Sequence, residues 1–404
     1  MLAQAVRSGK VLLPVVAFYA CSSSAEPNAT VTRSDSAGVT VVHYSRLDTM
    51  PKWSLSDDPV LSVGEVDGEA PYLLTMASRI QRMQDGSIMV VENRDREVRI
   101  FDSAGRYLRS VGSGPGEGPG EFQFIDWARL IQGDSILVWD GRLRRLTVFT
   151  PQGELARTAN PRMPEGVHLL IAQDAFEDGA LFVAPLQGTP DYVLGTIIRD
   201  TAIYAWWDPS APDSFVPTLK MPVQNTYIDR NSNLWSVPFT PRSAEAVGSA
   251  SVISTEGSDF VFDHHLARGR HVLRVTADFE RRTITAEELQ RYKDERIAEV
   301  RDQAQRAQIE RRFDDLPFPD RYPAVDRVLI DALGEFWIRL YNPDEAEAQA
   351  WHVFKQSGEH VAFVRIPSGL DVHDVQEDAI LGRWTDELGV RTVRVYALQR
   401  VPQE

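Results

Sequence analysis

Short runs of apolar residues, each opened by a turn residue and separated by polar loops, recur along most of the chain. Three segments align directly, opening at Gly86, Gly133 and Gly334, and in each a second apolar run ends in Phe with a glycine four residues later. β-Branched and aromatic residues favour strands, and glycine adopts the positive φ angles of tight turns. The pattern therefore predicts consecutive antiparallel hairpins.

The spacing of these signals predicts the architecture. Weaker strand-opening turns occur at Gly179, Gly257 and Asp378, and three of the intervals between neighbouring signals are 47, 46 and 44 residues. Four-stranded propeller blades have periods of about 40 to 50 residues. Six signals predict an all-β fold, a six-bladed β-propeller of four-stranded antiparallel blades over residues 39–404. We expect Val39–Tyr44 to pair with Val393–Leu398 and so close the ring.

Two longer intervals, of 78 and 77 residues, require insertions. Residues 285–313 contain no Gly or Pro, open with the capping box Thr285-x-x-Glu288 and carry apolar residues at near-helical spacing. They predict one long helix within an insertion over residues 285–316, which either packs on the propeller or docks a partner. The proline-containing residues 208–241 predict a second insertion of loops and short strands.

The first residues have the layout of an export signal. Arg7 and Lys10 precede an apolar run over residues 11–20 that ends at Cys21, and this run is too short to span a bilayer as a helix. The pattern resembles a bacterial lipoprotein signal, which implies a signal peptide over residues 1–20, a lipid on Cys21 and a polar tether over residues 21–38. Pro14, Phe18 and Tyr19 depart from that pattern, and cleavage without lipidation or a leader without a targeting role are the alternatives.

Charge and cysteine content narrow the functional classes. The formal net charge is −15 and no basic cluster is interleaved with aromatic residues, which argues against nucleic-acid binding. Cys21 is the only cysteine, so the chain forms no internal disulfide and no metal site built from several thiolates.

A glycine-rich connector carries a family resemblance. The stretch Gly112 to Phe122 (GSGPGEGPGEF) and the strand-opening Asp85-Gly86 resemble the NHL-like six-bladed propeller proteins of bacterial envelopes. The resemblance covers most of the chain from about Trp53 onward and implies a fold and an envelope location, without an activity. Enzymatic six-bladed propellers hold calcium or zinc in the central tunnel, and no cluster in this chain matches theirs.

Three arginines are the candidate site residues. Arg79, Arg129 and Arg327 each shortly precede a strand-opening turn, where the innermost strand of a blade is expected. If they face the axis, their guanidinium groups converge on the central channel and form an anion site. The alternative is that each one pairs with an acid of the blades such as Asp126 or Asp326.

The sequence gives weaker support to nucleotide, metal and nucleophile sites. The connector lacks the Lys-Ser/Thr of a phosphate loop and contains Glu117 and Glu121, so we expect no nucleotide. The eight histidines are scattered, and neither His264-His265 nor any site using His168 or His373 has a metal-binding pattern. We predict no metal and no cofactor, and no Gly-x-Ser-x-Gly nucleophile elbow is present.

These observations predict an exported, lipid-anchored propeller that binds or scaffolds a small molecule or an envelope protein. Membrane attachment would come only through the lipid, and we expect a monomer in the periplasm, on the outer membrane, or secreted. The alternative function is a hydrolase or lyase with its site in the central channel.

Overall fold

The computed structural model describes residues 30–400 except 51, 164, 166, 168, 187–192 and 345. The predicted leader, the predicted lipid attachment at Cys21 and His168 lie outside the described residues. Within the described part, no helix is long and apolar enough to cross a membrane.

Thirty strands and two helices follow one another in the described part of the chain. Before blade 1 come β1 (Val31–Ser36), β2 (Val39–Tyr44), β3 (Trp53–Leu55) and β4 (Leu61–Val63). Blade 1 has β5 (Ala77–Arg82), β6 (Ile88–Glu92), β7 (Glu97–Phe101) and β8 (Tyr107–Val111). Blade 2 has β9 (Trp127–Ile131), β10 (Ser135–Asp140), β11 (Arg145–Phe149) and β12 (Leu155–Ala159).

The insertions begin in the third blade. Blade 3 has β13 (Leu169–Ala175), β14 (Leu181–Leu186), β16 (Thr201–Trp207) and β17 (Val216–Pro222), with β15 (Thr196–Ile198) between its second and third strands. The strands β18 (Thr226–Ile228) and β19 (Leu234–Ser236) follow. Blade 4 has β20 (Ala244–Val247), β21 (Ser251–Thr255), β22 (Val261–Leu266) and β23 (His271–Ala277).

In sequence, the two helices lie between blade 4 and blade 5. They are α1 (Ala286–Ala298) and α2 (Gln303–Asp315). Blade 5 has β24 (Val325–Ile330), β25 (Phe336–Leu340), β26 (Gln349–Phe354) and β27 (His360–Ile366). Blade 6 has β28 (Leu370–Val375), β29 (Ala379–Thr385) and β30 (Arg391–Arg400). Three short 3₁₀ turns are Ala70–Tyr72, Gln132–Asp134 and Pro212–Ser214.

The sheets confirm six four-stranded blades. In blades 1 to 5 the four blade strands pair antiparallel in chain order, and in blade 6 the amino-terminal strands β3 and β4 pair with the third strand; in every blade the first strand is at one edge of the sheet. Polar contacts join first strands of different blades: the Leu130 N–H donates to the Gln81 side chain, and the Arg82 N–H donates to Asp374. The first strands are therefore innermost and surround the axis, as predicted for a propeller.

Ring closure differs from the prediction. Val39–Tyr44 does not reach blade 6; β2 pairs in parallel with β23 and, with β1, extends blade 4 outward. Instead, β3 and β4 pair antiparallel with β30 and supply the outer edge of blade 6. Both segments have strand-forming sequences, and the side chains around each decide the partner: Trp53 packs on Trp337, while Tyr44 packs on Phe354. The strand β1 also lies inside the segment expected to be a tether.

The prediction for the strand-opening turn of blade 4 was also wrong. The turn between its first two strands is at Gly248, whose N–H donates to the Ser251 carbonyl, whereas Gly257 lies between β21 and β22. Gly257 has φ +76°, and a Cβ there would lie 2.8 Å from the carbonyl oxygen of Val325 in blade 5. Glycine is needed here because two blades approach each other closely, and not because a turn between first and second strands begins. The sequence pattern is the same in the two cases.

The helical insertion is a hairpin of two helices and not one long helix. The capping box at Thr285 and Glu288 is present as predicted. However, α1 ends at Ala298, and Asp302 caps α2 by accepting a hydrogen bond from the Gln305 N–H. A side chain that caps a helix start competes with helix continuation, so an Asp inside a helical pattern can mark a break.

The two predicted insertions pack against each other. Residues 208–241 contain the outermost strand of blade 3 (β17) and also β18 and β19, which form a three-stranded sheet with β15. The β18–β19 turn repeats the bonding of the blade 5 turn: Asp229 accepts from the Trp235 indole at 2.9 Å, as Asp331 accepts from Trp337 at 3.0 Å. This sheet and the helices share an apolar cluster, comprising Tyr227, Trp235, Val237, Tyr292, Ile297, Ile309, Phe313, Leu316 and Phe318. We call the unit the cap.

Connectivity places the cap at one end of the propeller. The four strands of a blade are antiparallel. The link from one blade to the next therefore lies at the same end of the propeller as the loop between the second and third strands. We call this end the connector face. All the cap segments are links or loops of this kind, in blades 3 to 5. The connector face of blades 6, 1 and 2 carries no comparable insertion in the described residues.

Candidate functional site

The three predicted arginines lie on innermost strands, as expected from the sequence. Arg79 is on β5, Arg129 on β9 and Arg327 on β24. Four first strands contain a register shift, at Ala77/Arg79, Ala172/Asp174, Val325/Arg327 and Val372/Asp374. A bulge of this kind changes the direction of the side chains that follow it, which brings ionisable groups toward the axis.

Two of the arginines meet on one carboxylate. The Arg79 Nη2 donates to Asp174 Oδ2 at 2.9 Å, and the Arg129 Nη1 lies 3.0 Å from the same oxygen. The other terminal nitrogen of Arg129 donates to the Val247 carbonyl at 2.9 Å. Because these residues belong to blades 1 to 4, the contacts cross the centre of the ring.

The third arginine belongs to a second group. Arg327 donates to the carboxylate of Asp371 and to the Val372 carbonyl. Arg383 donates to the other oxygen of Asp371 at 2.7 Å and to the Ala77 carbonyl at 2.8 Å. His373 Nε2 lies 3.3 Å from Asp371. The structure therefore brings Arg79 and Arg129 together and places Arg327 on a separate carboxylate.

The acids named as alternative partners bind other groups. Asp126 accepts a hydrogen bond from the Gly141 N–H at 2.6 Å. Asp326 binds Arg339 through two hydrogen bonds of 2.7 and 3.0 Å. The three arginines pair with blade acids, but with Asp174 and Asp371.

The two shared carboxylates are held ionised. Burial opposes ionisation of Asp174, but the guanidinium groups of Arg129 and Arg79 outweigh it and lower its pKa. Burial also opposes ionisation of Asp371, and its contacts with His373 and Arg327 lower its pKa far below the ordinary range. Both carboxylates therefore carry a full negative charge at neutral pH.

Three neighbouring groups are held toward their neutral forms. Burial, with a smaller contribution from the charge of Asp174, raises the pKa of Glu245 to about 7. Burial also raises the pKa of Asp374, although the Arg82 N–H and Gln376 favour its charged form. The pKa of His373 is lowered by burial, against the opposing effect of Asp371. The axis therefore combines ionised and neutral acids at short range.

The sequence did not identify these acids. Asp174 lies in the apolar run LLIAQDA of β13, and Asp371 and Asp374 lie in LDVHDV of β28. A charged residue inside an otherwise apolar innermost strand is the signal that could have found them, because such a side chain needs a buried partner. Only the fold shows which arginine supplies that partner.

Two clefts open on the connector face. A cleft of about 630 Å³ lies between blades 6 and 1, and a smaller one of about 350 Å³ lies over the glycine-rich connector between blades 1 and 2. In the connector, the Gly118 N–H donates to the Glu121 carboxylate, and Arg145 donates to the carbonyls of Glu117 and Glu121. The glycine-rich segment thus forms its hydrogen bonds within blades 1 and 2.

The histidines lie mainly in blades 4 and 5. His264 packs on Phe336, and His265 stacks on His271 with ring centroids 4.4 Å apart. His352 Nδ1 lies 3.0 Å from His360 Nε2. Among the residues that the structure describes, no three His, Cys, Asp or Glu side chains are placed to hold a metal ion.

Comparisons with known proteins agree with the sheet order. Residues 71–160 match a family model described as a 6-bladed beta-propeller. No curated protein matches the sequence at a significant level. A solved structure of a member of the duf4221 family from Bacteroides vulgatus has 11% identity and a TM-score of 0.50, with 87% of this chain and 99% of that chain covered.

Two further solved structures are similar over most of their length. One is a candidate exported protein of Bacteroides fragilis, with 8% identity, a TM-score of 0.46, and coverage of 90% of this chain and 100% of that chain. The other is virginiamycin B lyase from Staphylococcus aureus, with 7% identity, a TM-score of 0.41, and coverage of 86% and 100%.

Proposed function

We propose that this six-bladed β-propeller is a binding module that takes a small anion, a carboxylate or a phosphate, on its axis. One observation carries the proposal: guanidinium groups outnumber the ionised carboxylates they contact. Four arginines share two carboxylates, in the groups Arg79, Arg129 and Asp174, and Arg327, Arg383 and Asp371. One positive charge per group is left over, in a chain of net charge −15.

The arginines also keep donors for a ligand. A guanidinium has five N–H donors in a planar fork that matches carboxylate and phosphate oxygens. The side chains of Arg79 and Arg327 are 25% and 26% exposed, so solvent reaches them. The Nε–H groups of Arg79 and Arg383 are buried and find no acceptor among the described residues. These features support an anion site in addition to ion pairs that tie blades together.

The variant Asp174→Asn separates the two roles. It keeps the size of the side chain and removes the carboxylate that Arg79 and Arg129 share. If the axis binds anions, the freed guanidinium groups should raise the affinity for phosphate or succinate at least about tenfold, measured by titration calorimetry. Asp326→Asn, which frees Arg339 away from the axial group, is the control. A folded Asp174→Asn protein without any gain in affinity for either anion contradicts the proposal.

Loss of the arginines gives the complementary test. The variant changes three arginines to Met together: Arg79, Arg129 and Arg327. It also carries Asp174→Asn, because Asp174 would otherwise remain as a buried charge without a partner. We expect phosphate and succinate binding to disappear while circular dichroism keeps the signature of the β-fold. If this variant binds the anions as tightly as Asp174→Asn does, the three arginines do not form an anion site.

A second function is favoured by one specific observation. Asp174 on β13 and Glu245 on β20 both lie on innermost strands; the guanidinium groups that contact Asp174 lower its pKa despite burial, while burial and, to a smaller extent, the charge of Asp174 raise the pKa of Glu245 to about 7. Two carboxyl groups whose pKa values are separated by their surroundings can act as base and acid in one reaction. This pair would serve a hydrolase or lyase in the channel.

That activity would depend on the proton of Glu245. Any turnover of lactones or esters that carry a separate anionic group should fall at least about a hundredfold in Glu245→Gln, with substrate binding retained. Equal turnover in wild type and Glu245→Gln argues against a role for this pair.

We also propose that the protein is exported and attached to the bacterial envelope through a lipid on Cys21. The support is the order of basic residues, short apolar run and cysteine at the start of the sequence. Mass spectrometry of the amino-terminal peptide should show a diacylglyceryl cysteine, and Cys21→Ser should release the protein from membranes. An unmodified Cys21 in membrane-free protein contradicts the lipid anchor.

A further inference from the structure

The larger cleft on the connector face lies apart from the axial arginines and has three walls. One wall is the link from β4 to β5, which contributes Glu65, Val66, Ala70 and Leu73–Thr75. The second is the β6–β7 loop with Arg94 and Asp95, and the third is the β29–β30 loop with Leu388–Arg391. Its volume of about 630 Å³ is in the range of small-molecule sites.

Apolar side chains without cover mark the mouth of this cleft. Leu388 is 89% exposed and Val66 is 76% exposed, and they belong to two different walls. Leu74 is buried, and Leu73 is partly buried. Exposed aliphatic side chains that face a concave site lose contact with water when an apolar ligand enters, which favours binding of such a ligand.

The charged side chains on the walls differ in whether they are free to bind a ligand. Asp95 is already bound to the buried guanidinium of Arg99, and the Glu65 carboxylate folds over the backbone of Gly68 in its own turn. The side chain of Arg94 makes no hydrogen bond or ion pair with any residue in the described part of the chain. Arg391 donates to the Thr75 carbonyl, which leaves its charge without a counterion there. The cleft thus presents positively charged side chains to a ligand more readily than negatively charged ones.

We infer that this cleft is a binding site for an amphiphilic carboxylate, a molecule with an apolar body and one anionic end. The apolar body would pack between Leu388 and Val66 and over Leu73. The carboxylate would bind Arg94, with Arg391 adding positive potential from the neighbouring wall. The site is independent of the axial group, because none of the axial arginines lines it.

Three ten-carbon probes test the inference: decanoate, decanol and decyltrimethylammonium, each below its aggregation concentration, titrated into the full chain by calorimetry. Decanoate should bind saturably and at least about tenfold more tightly than the other two. In Arg94→Gln, decanoate should bind no more tightly than decanol. In Leu388→Ser, the affinities of decanoate and decanol should both fall.

Two control variants match these changes. Arg144→Gln removes an exposed arginine from the corresponding loop of blade 2, and Leu333→Ser removes an exposed leucine from a blade 5 turn. Both should bind decanoate as the wild type does. Failure of the wild type to bind decanoate, or equal binding in Arg94→Gln and Arg144→Gln, overturns the inference. Because decanoate is itself a carboxylate, the loss in Arg94→Gln, which leaves the axial arginines intact, distinguishes binding in the cleft from binding on the axis.

Discussion

Arg400, at the end of the last strand, joins three parts of the molecule. Its guanidinium donates to Asp331 at 2.9 Å, to Glu335, and to the Gln376 carbonyl at 3.0 Å, and it stacks on the Trp53 ring. The Asp331 side chain is fully buried. The residue thus connects blade 5, blade 6 and the amino-terminal strand that closes the ring.

Arg400→Met should be strongly destabilising. It leaves the buried carboxylate of Asp331 and the partly buried carboxylate of Glu335 without their cation, and breaking a buried pair in this way typically costs about 3–5 kcal/mol. The free energy of unfolding in urea measures the effect. Arg106→Met is the matched control, because Arg106 pairs with Asp102 but is 81% exposed, and exposed pairs contribute little to stability. Equal losses in the two variants would show that Arg400 has no special role.

Two histidines of blade 5 lie beneath the amino-terminal hairpin. The Tyr44 hydroxyl donates to the Gly358 carbonyl and accepts from the His360 N–H, both at 2.8 Å. His360 in turn contacts His352, which is buried. Burial lowers the pKa of His352 to about 3 and that of His360 to about 4. Both side chains are therefore neutral in the folded protein at neutral pH.

This pair should make stability depend on pH. The unfolded chain binds protons at these positions below about pH 6.5, whereas the folded protein does so only near pH 4 at His360 and near pH 3 at His352. Stability is therefore full above pH 6.5 and falls as the pH drops toward these values. Each such histidine contributes a slope of about 1.4 kcal/mol per pH unit. Denaturation from pH 8 to pH 5 should show a shallower decline in the double variant His352→Leu, His360→Leu. Parallel curves for wild type and variant would exclude the pair as the cause.

At the scale of elements, the cap depends on contacts between segments that are far apart in sequence. No residue of α1 is buried, and Phe313 is the only buried residue of α2. Isolated helices of this length are marginal in water, so packing must hold them. The packing partners are Tyr227 and Trp235 of the small sheet, which arrives from the other insertion.

Phe313→Ala should unfold the cap without unfolding the ring. Truncating a buried Phe costs about 3–5 kcal/mol, a large part of what a small apolar cluster can supply. Hydrogen exchange should become fast in α1, α2 and β18–β19, and remain slow in blade 1. The exposed neighbour Gln308 provides the control variant, Gln308→Ala. Faster exchange in blade 1 as well would mean that the cap and the ring unfold together.

At the scale of the whole molecule, the ring closes through a blade shared by both ends of the chain. Blade 6 takes three strands from residues 370–400 and its outer edge from β3 and β4. Val63 of β4 is buried in the cluster between blades 6 and 1. The hairpin β1–β2 instead packs on blades 4 and 5, which other contacts already join.

Two truncations should therefore differ. A chain that begins at Arg46 lacks the β1–β2 hairpin but keeps the closing strands, and it should still unfold in one cooperative transition. A chain that begins at Glu65 also lacks β3 and β4, and should show broad, less cooperative unfolding with exposed apolar surface. Dye binding and urea denaturation distinguish them. Cooperative unfolding of the shorter chain would show that closure at blade 6 is dispensable.

Local chemistry made much of the fold predictable. The hairpins of blades 1, 2 and 5 were evident because β-rich runs alternate with turn glycines, and both effects act within a few residues. The capping box at Thr285 is equally local. The positions of Arg79, Arg129 and Arg327 on innermost strands followed from their distance to the turns. The sequence by itself therefore determined the repeat, the number of blades and the strands that carry the candidate arginines.

Contacts between distant residues decided the rest. Val39–Tyr44 and Trp53–Leu55 are both plausible strands, and only the side chains around them select blade 4 for one and blade 6 for the other. Asp174 and Asp371 became partners of the arginines because six inner strands meet at one axis. The cap formed because two insertions emerge on the same face. In each case many pairings satisfy the local pattern, and the packing of the closed ring selects one of them.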